Sequence, residues 1–424
     1  MVSVPRATHH AFSRIRYPIT RRSAESNMAS AKIFFKNGLK CATIRWGEGF
    51  YQISFRFNEG GISVKIIIVG GYGDIGSYVV QKLVDSPHQI TVAGRNLKKA
   101  RSLCSRFKGY VGALHCDVEH KSTLVGAFGN FDLVINCAGP FYKYGANVAT
   151  AAIETKTHYI DVCDDADPLP KLFALDSAAR RAGVTVLTGM GWNPGISNLA
   201  ARLAANLLDE MDDVKIAWAA GSGDAEGKAA LAHTLHGFTG QIPVLRKGKQ
   251  INVPAFSEME LVEFPAPLGE LPEYLFGHPE PITLPKEIDA QNIEVRGSIN
   301  PSWNNRVIRI VRSLGMTGSA KRIDTTAAFI HSIQKLFSVG GVKHSGLRID
   351  VTGRKDGQDR HLVFNMIDRI RPLTGTPCAL AALMLLEGAI TRRGVVAPEM
   401  CIDPVAFFDR LSDEGFKIMR EGRL

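Results

Sequence analysis

Three glycines, Gly71, Gly73 and Gly76, have the G-x-G-x-x-G spacing and directly follow the apolar run at residues 64–69. A dinucleotide site needs such glycines for a tight turn, for close approach of the backbone to a diphosphate and for close packing of the next helix. The amides of that helix's first turn then face the anion. Incidental glycines in an ordinary turn are the alternative. We predict a diphosphate-binding turn with these contact residues: Gly71, Tyr72, Gly73, Asp74, Ile75 and Gly76.

The end of the second predicted strand indicates which dinucleotide binds. NAD sites usually carry an acidic residue there, about 20 residues past the turn, whereas this chain has Arg95 followed by Asn96. Arginine can form charge-assisted hydrogen bonds to the 2'-phosphate of NADP. We therefore predict NADP(H) in preference to NAD(H), with both residues at the cofactor. A solvated surface arginine is the alternative, and Lys98 and Lys99 could share the role.

Two further strand ends complete the predicted cofactor site. Asp117 follows the third strand, where a carboxylate can reach the adenine amino group. Ala138, Gly139 and Pro140 follow the fourth strand, where small residues let the cofactor pass. Each segment could be a plain strand-to-helix turn, but ligands of open α/β sheets bind at successive carboxyl ends of strands. Tyr78 and Lys82 have the spacing of a short-chain dehydrogenase pair, but they follow the phosphate turn directly and cannot reach the nicotinamide.

The elements that position these residues alternate regularly from Val64 onward. Short β-branched runs, taken as buried strands, are separated by amphipathic helical segments as far as about residue 197. This pattern predicts an α/β fold with a doubly wound, Rossmann-type parallel sheet. After residue 198 the rhythm changes, and 345–352 and 361–367 alternate like paired antiparallel strands. We predict four parts: a basic, poorly ordered extension at 1–62, a dinucleotide-binding domain at 63–197, an α+β substrate and dimerisation domain at 198–371, and a C-terminal segment at 372–424.

Composition limits the partners. The net charge of the 424-residue chain is +10, but ten Lys/Arg against three Asp/Glu in residues 1–60 leave only +3 for the rest. A nucleic-acid partner is therefore not expected. The first 27 residues resemble an organelle transit peptide, although Met28 is a possible true start, and we favour a cytoplasmic protein. No apolar run is long enough to span a membrane, and no membrane partner is expected. The seven scattered cysteines indicate reduced thiols and no metal site.

Ordered blocks of sequence resemble the saccharopine dehydrogenase (saccharopine reductase) family. They cover roughly residues 63 to 420 and read GGYGDIG, VINCAGPFYKYGANVATAA, THYIDV, GMGWNPGISNLAA, TGTPCALAALMLLEGAI and GVVAPE. The resemblance implies an NAD(P)-dependent oxidoreductase acting on amino acid derivatives, with a C-terminal helix that returns to the nucleotide domain. It also implies a middle domain that binds substrate and often forms the dimer contact, so we expect a homodimer.

The resemblance and the strand ends together suggest the substrate-side residues. Tyr159 and Asp161 end the fifth strand, and Asp161 could exchange a proton with a substrate amine or only cap the next helix. The family likeness places Asn193 beside the nicotinamide, although its loop could simply be a hinge. Proton carriers are expected among histidines in loop-like sequence: His233, His236 and His278. Thr374 and Thr376 could bind a substrate carboxylate or cap a helix that begins after Pro377.

The expected reaction is hydride transfer at a C–N bond of an amino acid-like substrate, with the difficult chemistry supplied by NADP(H). Two alternatives stay open. The chain could be a sensor that binds NADP(H) without turnover, or it could reduce C=C or C=O bonds on the same fold.

Overall fold

The computed structural model describes residues 30–33, 39–47, 50–57, 63–107, 111–224, 227–337 and 342–421. Two compact units are distinguished, residues 1–63 and residues 64–424. In the first unit, an antiparallel three-stranded sheet is formed by β1 (Ser30–Ile33), β2 (Leu39–Gly47) and β3 (Phe50–Phe57). Residues 1–27 and Met28 lie outside the described residues, so the targeting hypothesis stays a prediction.

The second unit begins with the predicted parallel sheet. Its six consecutive strands are β4 (Lys65–Val69), β5 (Gln89–Gly94), β6 (Val111–His115), β7 (Leu133–Asn136), β8 (His158–Asp161) and β9 (Thr185–Leu187). They lie in the order β6-β5-β4-β7-β8-β9, and all of their pairings are parallel. Helices cover both faces, and the side chains of Ile66, Ile67 and Ile68 are completely buried. This burial explains the unbroken apolar runs in the sequence, since a strand that is covered on both faces needs no alternation of polar and apolar residues.

Seven helices connect or follow these strands. They are α1 (Asp74–Leu83), α2 (Leu97–Cys104), α3 (Lys121–Phe128), α4 (Phe141–Glu154), α5 (Leu169–Phe173), α6 (Asp176–Ala182) and α7 (Ile196–Ala205). The helix α7 carries the chain away from the parallel sheet and into a second one.

The second sheet is mixed, with β10 (Glu210–Gly221) near its centre. Its other strands are β11 (Gln241–Arg246), β12 (Lys249–Pro254), β13 (Glu260–Phe264), β14 (Gly269–Leu275), β15 (Ala290–Asn300), β16 (Ser345–Lys355) and β17 (Gln358–Asp368). The pairing of β10 with β15 is parallel and that with β16 is antiparallel. The predicted hairpin is confirmed, since β16 and β17 pair antiparallel across Asp356 and Gly357, both at positive φ. Four helices accompany this sheet: α8 (Lys228–Gly237), α9 (Glu280–Thr283), α10 (Trp303–Ser313) and α11 (Ala320–Phe337).

The chain then returns to the parallel sheet. The helix α12 (Ile370–Leu386) packs on α1, and β18 (Gly394–Val396) adds to the sheet beside β9, also in parallel. After α13 (Pro398–Cys401) and α14 (Pro404–Asp413), the last strand, β19 (Met419–Glu421), pairs with β17 of the second sheet.

This architecture confirms the predicted fold class, including the helix that returns to the nucleotide-binding sheet. One predicted boundary is wrong. We expected a helix to start at Pro377, but α12 begins seven residues earlier, at Ile370, and contains Pro377. The domain limits at 197 and 371 stay predictions. Within the described residues, no helix combines the length and the apolar character needed to cross a bilayer.

Candidate functional site

The predicted phosphate turn lies between β4 and α1 and is closed by its own backbone. The Gly73 amide donates to the Gly70 carbonyl at 2.8 Å, and Gly70 has a φ of +73° that favours glycine. A Cβ on Gly76 would collide with that same carbonyl oxygen, and one on Gly71 would lie 2.8 Å from the Ile68 oxygen. The glycines are therefore needed for the turn itself, and the missing side chains leave its outer surface to a ligand.

The helix α1 begins at this turn without any side chain capping its N-terminus. Its first-turn amides therefore have no intrahelical acceptor, which suits the diphosphate of a dinucleotide.

A residue that the sequence did not indicate also reaches this point. Arg371 of α12 lies 3.0 Å from the Asp74 carboxylate, and its Nη2 donates to the Ser77 hydroxyl at 3.1 Å. The guanidinium offsets the negative charge of Asp74 where the phosphates would bind.

The residues predicted to bind the adenosine part of the cofactor lie at the ends of β5 and β6. The Tyr72 hydroxyl accepts a hydrogen bond from the Asn96 amide at 2.9 Å, while the Asn96 side chain caps α2 at the Lys99 amide. The Arg95 side chain is 65% exposed and lies 3.5 Å from Glu119. Because this ion pair is exposed to solvent, it fixes the arginine side chain only weakly. Asp117 accepts from the Glu119 amide at 3.1 Å. The turn and the predicted 2'-phosphate residue therefore lie at one edge of the sheet.

The residues predicted to lie at the nicotinamide follow β7 and β9. The Asn136 side chain accepts from the Ala138 amide at 3.0 Å, and a Cβ on Gly70 would lie 2.9 Å from the Ala138 nitrogen, so the segment 138–140 lies directly against the phosphate turn. Asn193 is only 4% exposed, yet neither side-chain amide atom has a hydrogen-bond partner. Because buried amides are normally satisfied, this side chain has hydrogen bonds to offer a polar ligand group.

Asp161 and Tyr159 are both completely buried at the end of β8. The Tyr159 hydroxyl donates to Asp161 at 2.8 Å, and Asp161 also accepts from Thr188 and from the Cys163 and Gly189 amides. Burial raises the pKa of Asp161 to about 6, despite these donors, which lower it. Through these contacts Asp161 connects the end of β8 with the segment after β9, and it accepts hydrogen bonds from backbone amides as a capping residue does.

His233 lies on α8, close to two aspartates that follow β8. Its Nδ1 lies 2.8 Å from Asp165 and 3.4 Å from Asp164, and the ring is 12% exposed. Burial alone would lower the pKa of His233, but the two carboxylates raise it to about 9. Burial alone would raise the pKa of Asp165, yet His233 holds it below its usual value. The histidine is therefore a cation at neutral pH.

His278 lies beside His233, with a ring-centroid distance of 5.5 Å. Its Nδ1 is 3.0 Å from Glu280, which also accepts from the Ser197 hydroxyl at 2.8 Å. His236 instead pairs with Asp167 at 2.8 Å and stacks on Tyr142. The hydrogen bond from His236 is the main reason that the pKa of Asp167 is lowered. Both His233 and His236 lie on α8, so the loop expected around them is wrong.

A cavity of about 400 Å³ brings part of these groups together. It is bounded by the segments after β8 and β9, by β10 and by α8, α10 and α11. Of the predicted site residues, Asn193, His233 and His278 line it, and Asp164 joins them. Asp161, Tyr159 and His236 do not. Sequence reasoning missed Asp164, although the acidic run Asp164-Asp165 directly after a strand end was a usable signal.

Metal binding was not expected from the sequence. Among the described residues, one group, Asp164, Asp165 and His233, has ligand atoms within 4.8 Å of one another. The carboxylate of Asp165 also accepts from the Tyr142 amide at 2.8 Å. We interpret the group as an ion-pair cluster, because the Nδ1 atom of His233 lies 2.8 Å from Asp165 and 3.4 Å from Asp164.

The two threonines of the late block lie inside α12. Thr376 is fully buried, and Gly375 between them faces Tyr78, whose ring carbon would lie 2.7 Å from an added Cβ. The helix-capping alternative for these threonines is wrong, because α12 starts before them. Lys82 pairs with Glu414 at 2.7 Å.

Comparison with known proteins agrees with this geometry. Residues 66–187 match the family described as the saccharopine dehydrogenase NADP binding domain, and residues 191–416 match the saccharopine dehydrogenase C-terminal domain. The chain belongs to the saccharopine dehydrogenase family. It is therefore an NAD(P)-dependent oxidoreductase, and its cofactor is NADP(H).

Individual members of the saccharopine dehydrogenase family are only distantly similar. A carboxynorspermidine synthase of Vibrio cholerae is 23% identical over 84% of this chain and 95% of that protein. A saccharopine dehydrogenase [NADP(+), L-glutamate-forming] of Pyricularia oryzae is 30% identical over 33% of this chain and 30% of that protein. Apo saccharopine dehydrogenase (L-Glu forming) from Saccharomyces cerevisiae superposes with a TM-score of 0.65 at 16% identity, over 85% of this chain and all of that one. At this identity the last comparison shows a shared fold.

Proposed function

We propose that this member of the saccharopine dehydrogenase family transfers a hydride between NADP(H) and a C–N bond of an amino acid-like substrate. The observation that carries the proposal is the cavity at the carboxyl edge of the nucleotide-binding sheet, with Asp164, His233 and His278 in its wall. The relative named carboxynorspermidine synthase, which aligns over most of both chains, supports a nitrogen-containing substrate.

The residues at the parallel strand ends would hold NADP(H). We assign the diphosphate to the turn at Gly71–Gly76, with Arg371 nearby, and the 2'-phosphate to Arg95. Asn193 and residues 138–140 are assigned to the nicotinamide end. NADPH held there would supply the hydride that reduces the carbon of a C=N bond, and NADP⁺ would accept the hydride when an amine is oxidised in the opposite direction.

The protein's own contribution is to handle the proton and the charge. In the reducing direction the substrate nitrogen must gain a proton, and His233 is protonated at neutral pH and lies at the cavity wall. Asp164 would hold the substrate's ammonium or iminium group, while Asp165 orients the His233 ring. His278, fixed by Glu280, is the second candidate for the proton. Asp161, Tyr159 and His236 are assigned as positioning residues, because their side chains do not line the cavity.

The direct test follows absorbance at the reduced-nicotinamide band with NADPH or NADP⁺, over imine and amine substrates that include saccharopine and lysine. We expect turnover with at least one C–N substrate, and a fall in kcat of about a hundredfold or more for His233→Gln, as for loss of a general acid. His361→Gln is the matched control. That histidine also contacts an aspartate at 2.8 Å, but it is exposed on the second sheet and outside the cavity.

Other outcomes separate the alternatives. Tight NADPH binding without turnover on any substrate class would indicate a sensor. Turnover confined to C=C or C=O compounds would place the reaction on those bonds. The homodimer and the cytoplasmic location stay predictions, which sedimentation and fractionation would test.

A further inference from the structure

The cavity wall is apolar over most of its area. Three tryptophans, Trp192, Trp218 and Trp303, contribute to it, together with aliphatic side chains from α8, α10 and α11. Such a wall binds hydrocarbon well and gives few hydrogen bonds to a polar chain.

The charges in the wall are distributed unevenly. Among the residues that the structure describes, no lysine or arginine lines the cavity; its ionisable groups are Asp164, His233 and His278. The positive charge of His233 is already matched by Asp164 and Asp165, and Glu280 lies behind His278. A substrate carboxylate in this space would find no cationic side chain without an acidic partner. It would lose its hydration and gain no ion pair in exchange. A substrate ammonium group would find Asp164 at the polar end.

Two apolar residues that line the cavity, one on α10 and one on α11, also reach the protein surface. Val307 is 37% exposed and Phe329 is 58% exposed, and both line the cavity. An apolar substrate chain can therefore continue from the polar end to the surface without meeting a charged side chain on the way.

We infer that the cavity takes an amine or imine with an apolar body and no carboxylate within the enclosed part. Its nitrogen lies near Asp164 and His233, and its alkyl or aryl portion lies between α10 and α11. This inference rests on the proposed hydride transfer at a C–N bond, and it narrows the substrate to an amine or imine whose bulk is hydrocarbon and whose carboxylate, if it has one, lies outside the enclosed part.

The test compares two ligands that differ only in a carboxylate, 2-phenylethylamine and phenylalanine. The full-length protein is saturated with NADP⁺, and binding is followed by calorimetry and by tryptophan fluorescence. We expect the amine to bind at least tenfold more tightly than the amino acid. Equal affinity, a preference for phenylalanine, or binding of neither would overturn the inference.

A pair of variants on one helix locates the effect. Val307→Lys places a cation at the cavity rim, whereas Ile310→Lys places one on the same helix at a 57% exposed position outside the cavity. We expect the amine to bind at least tenfold more weakly to V307K, because the new charge lies beside its hydrocarbon portion, and equally well to I310K. Asp164→Asn removes the carboxylate at the nitrogen end and should also weaken amine binding, and it replaces V307K if that variant does not fold. Unchanged amine affinity in both V307K and D164N would place the ligand elsewhere and overturn the inference.

The two proposals fail differently. If the amine binds as expected but no C–N substrate is ever turned over, the cavity assignment stands and the proposed reaction falls. If turnover occurs with saccharopine while the amine does not bind, the reaction stands and the apolar-substrate inference falls. NADPH binding, measured separately, shows that the protein is intact in either case.

Discussion

At the scale of single residues, His233 has the most unusual surroundings of the predicted site. The imidazole is nearly buried and touches two carboxylates, which together raise its pKa from 6.5 to about 9. The identity of the residue was visible in the sequence, but its protonation state was not. That state depends on Asp164 and Asp165, which lie 69 and 68 positions earlier in the chain, just after the end of β8.

This raised pKa predicts how stability depends on pH. The folded protein holds the His233 proton more tightly than the unfolded chain, so the stabilisation is complete below pH 6.5 and is lost as pH rises through about 9. We expect His233 to contribute roughly 2–3 kcal/mol to the difference in unfolding free energy between pH 6 and pH 9.5. Urea unfolding of the wild type and His233→Gln measures it. The same pH dependence in both proteins would contradict the raised pKa.

Arg95 predicts cofactor preference. Arg95→Asp should weaken NADPH binding at least tenfold and leave NADH binding nearly unchanged, because only NADPH carries the 2'-phosphate that the guanidinium can bond. Fluorescence titration with both nucleotides measures the ratio. Arg101→Asp, at an exposed position further along α2, controls for a general change of charge. An equal loss for both nucleotides would exclude the 2'-phosphate role.

At the scale of elements, the glycine turn between β4 and α1 could be predicted from the sequence because its geometry is local. Gly71, Gly73 and Gly76 lie within one turn, and their spacing is fixed by contacts among residues 68–76. The ends of β5 and β6 could also be expected to lie together, since strand ends in a parallel sheet meet at one edge; their role at the adenosine stays a prediction. Arg371 could not be found in this way, because it reaches the turn from α12, 294 residues beyond Ser77.

The turn provides a matched pair of glycine substitutions. Gly76→Ala should reduce NADPH affinity at least tenfold, because the new Cβ would collide with the Gly70 carbonyl oxygen and open the turn. Gly126→Ala, inside α3 with no atom within 4 Å of the added Cβ, should leave binding unchanged and stabilise the protein by about 0.5–1 kcal/mol. Nucleotide titration and thermal unfolding of both variants give the result. Wild-type affinity in Gly76→Ala would contradict the proposed role of the turn.

The helix α12 shows where local signals fail. Pro377 suggested a helix start, since proline is favoured in a first helical turn. The helix instead begins at Ile370, and most of its residues from Leu373 to Leu385 are buried against neighbouring elements, including α1. Burial of this apolar surface outweighs the backbone hydrogen bond that Pro377 cannot make. Tertiary packing of this kind leaves no trace in the spacing of nearby residues.

At the scale of the whole molecule, one buried polar network joins three distant segments. Asn198 at the start of α7 donates to Glu399 at 2.8 Å and to Thr283 at 3.2 Å, and it accepts from the Gly195 amide at 3.0 Å. Burial raises the pKa of Glu399 to about 7. The network therefore connects the segment after β9 with α9 and with the C-terminal region.

Removal of the central amide should loosen this connection. Asn198→Ala leaves Glu399 buried without its closest hydrogen-bond donor, and we expect a loss of about 1–3 kcal/mol in unfolding free energy. Chemical denaturation measures the change. Combining it with Glu399→Gln, which removes the buried charge, should cost less than the sum of the two single changes. Additive losses would show that the residues do not act through each other.

The parallel sheet also has a consequence for the order of synthesis. One edge of β9 pairs with β8, and the other edge pairs with β18. In the second pairing Gly394 lies opposite Thr185, which is 209 residues earlier in the chain. While the chain is still being made, that edge has unpaired backbone groups open to other chains. Nearly the whole chain must therefore be synthesised before β18 can pair with β9 and complete the sheet. Truncated or stalled chains should accordingly be the form of this protein that chaperones recognise and that aggregates first.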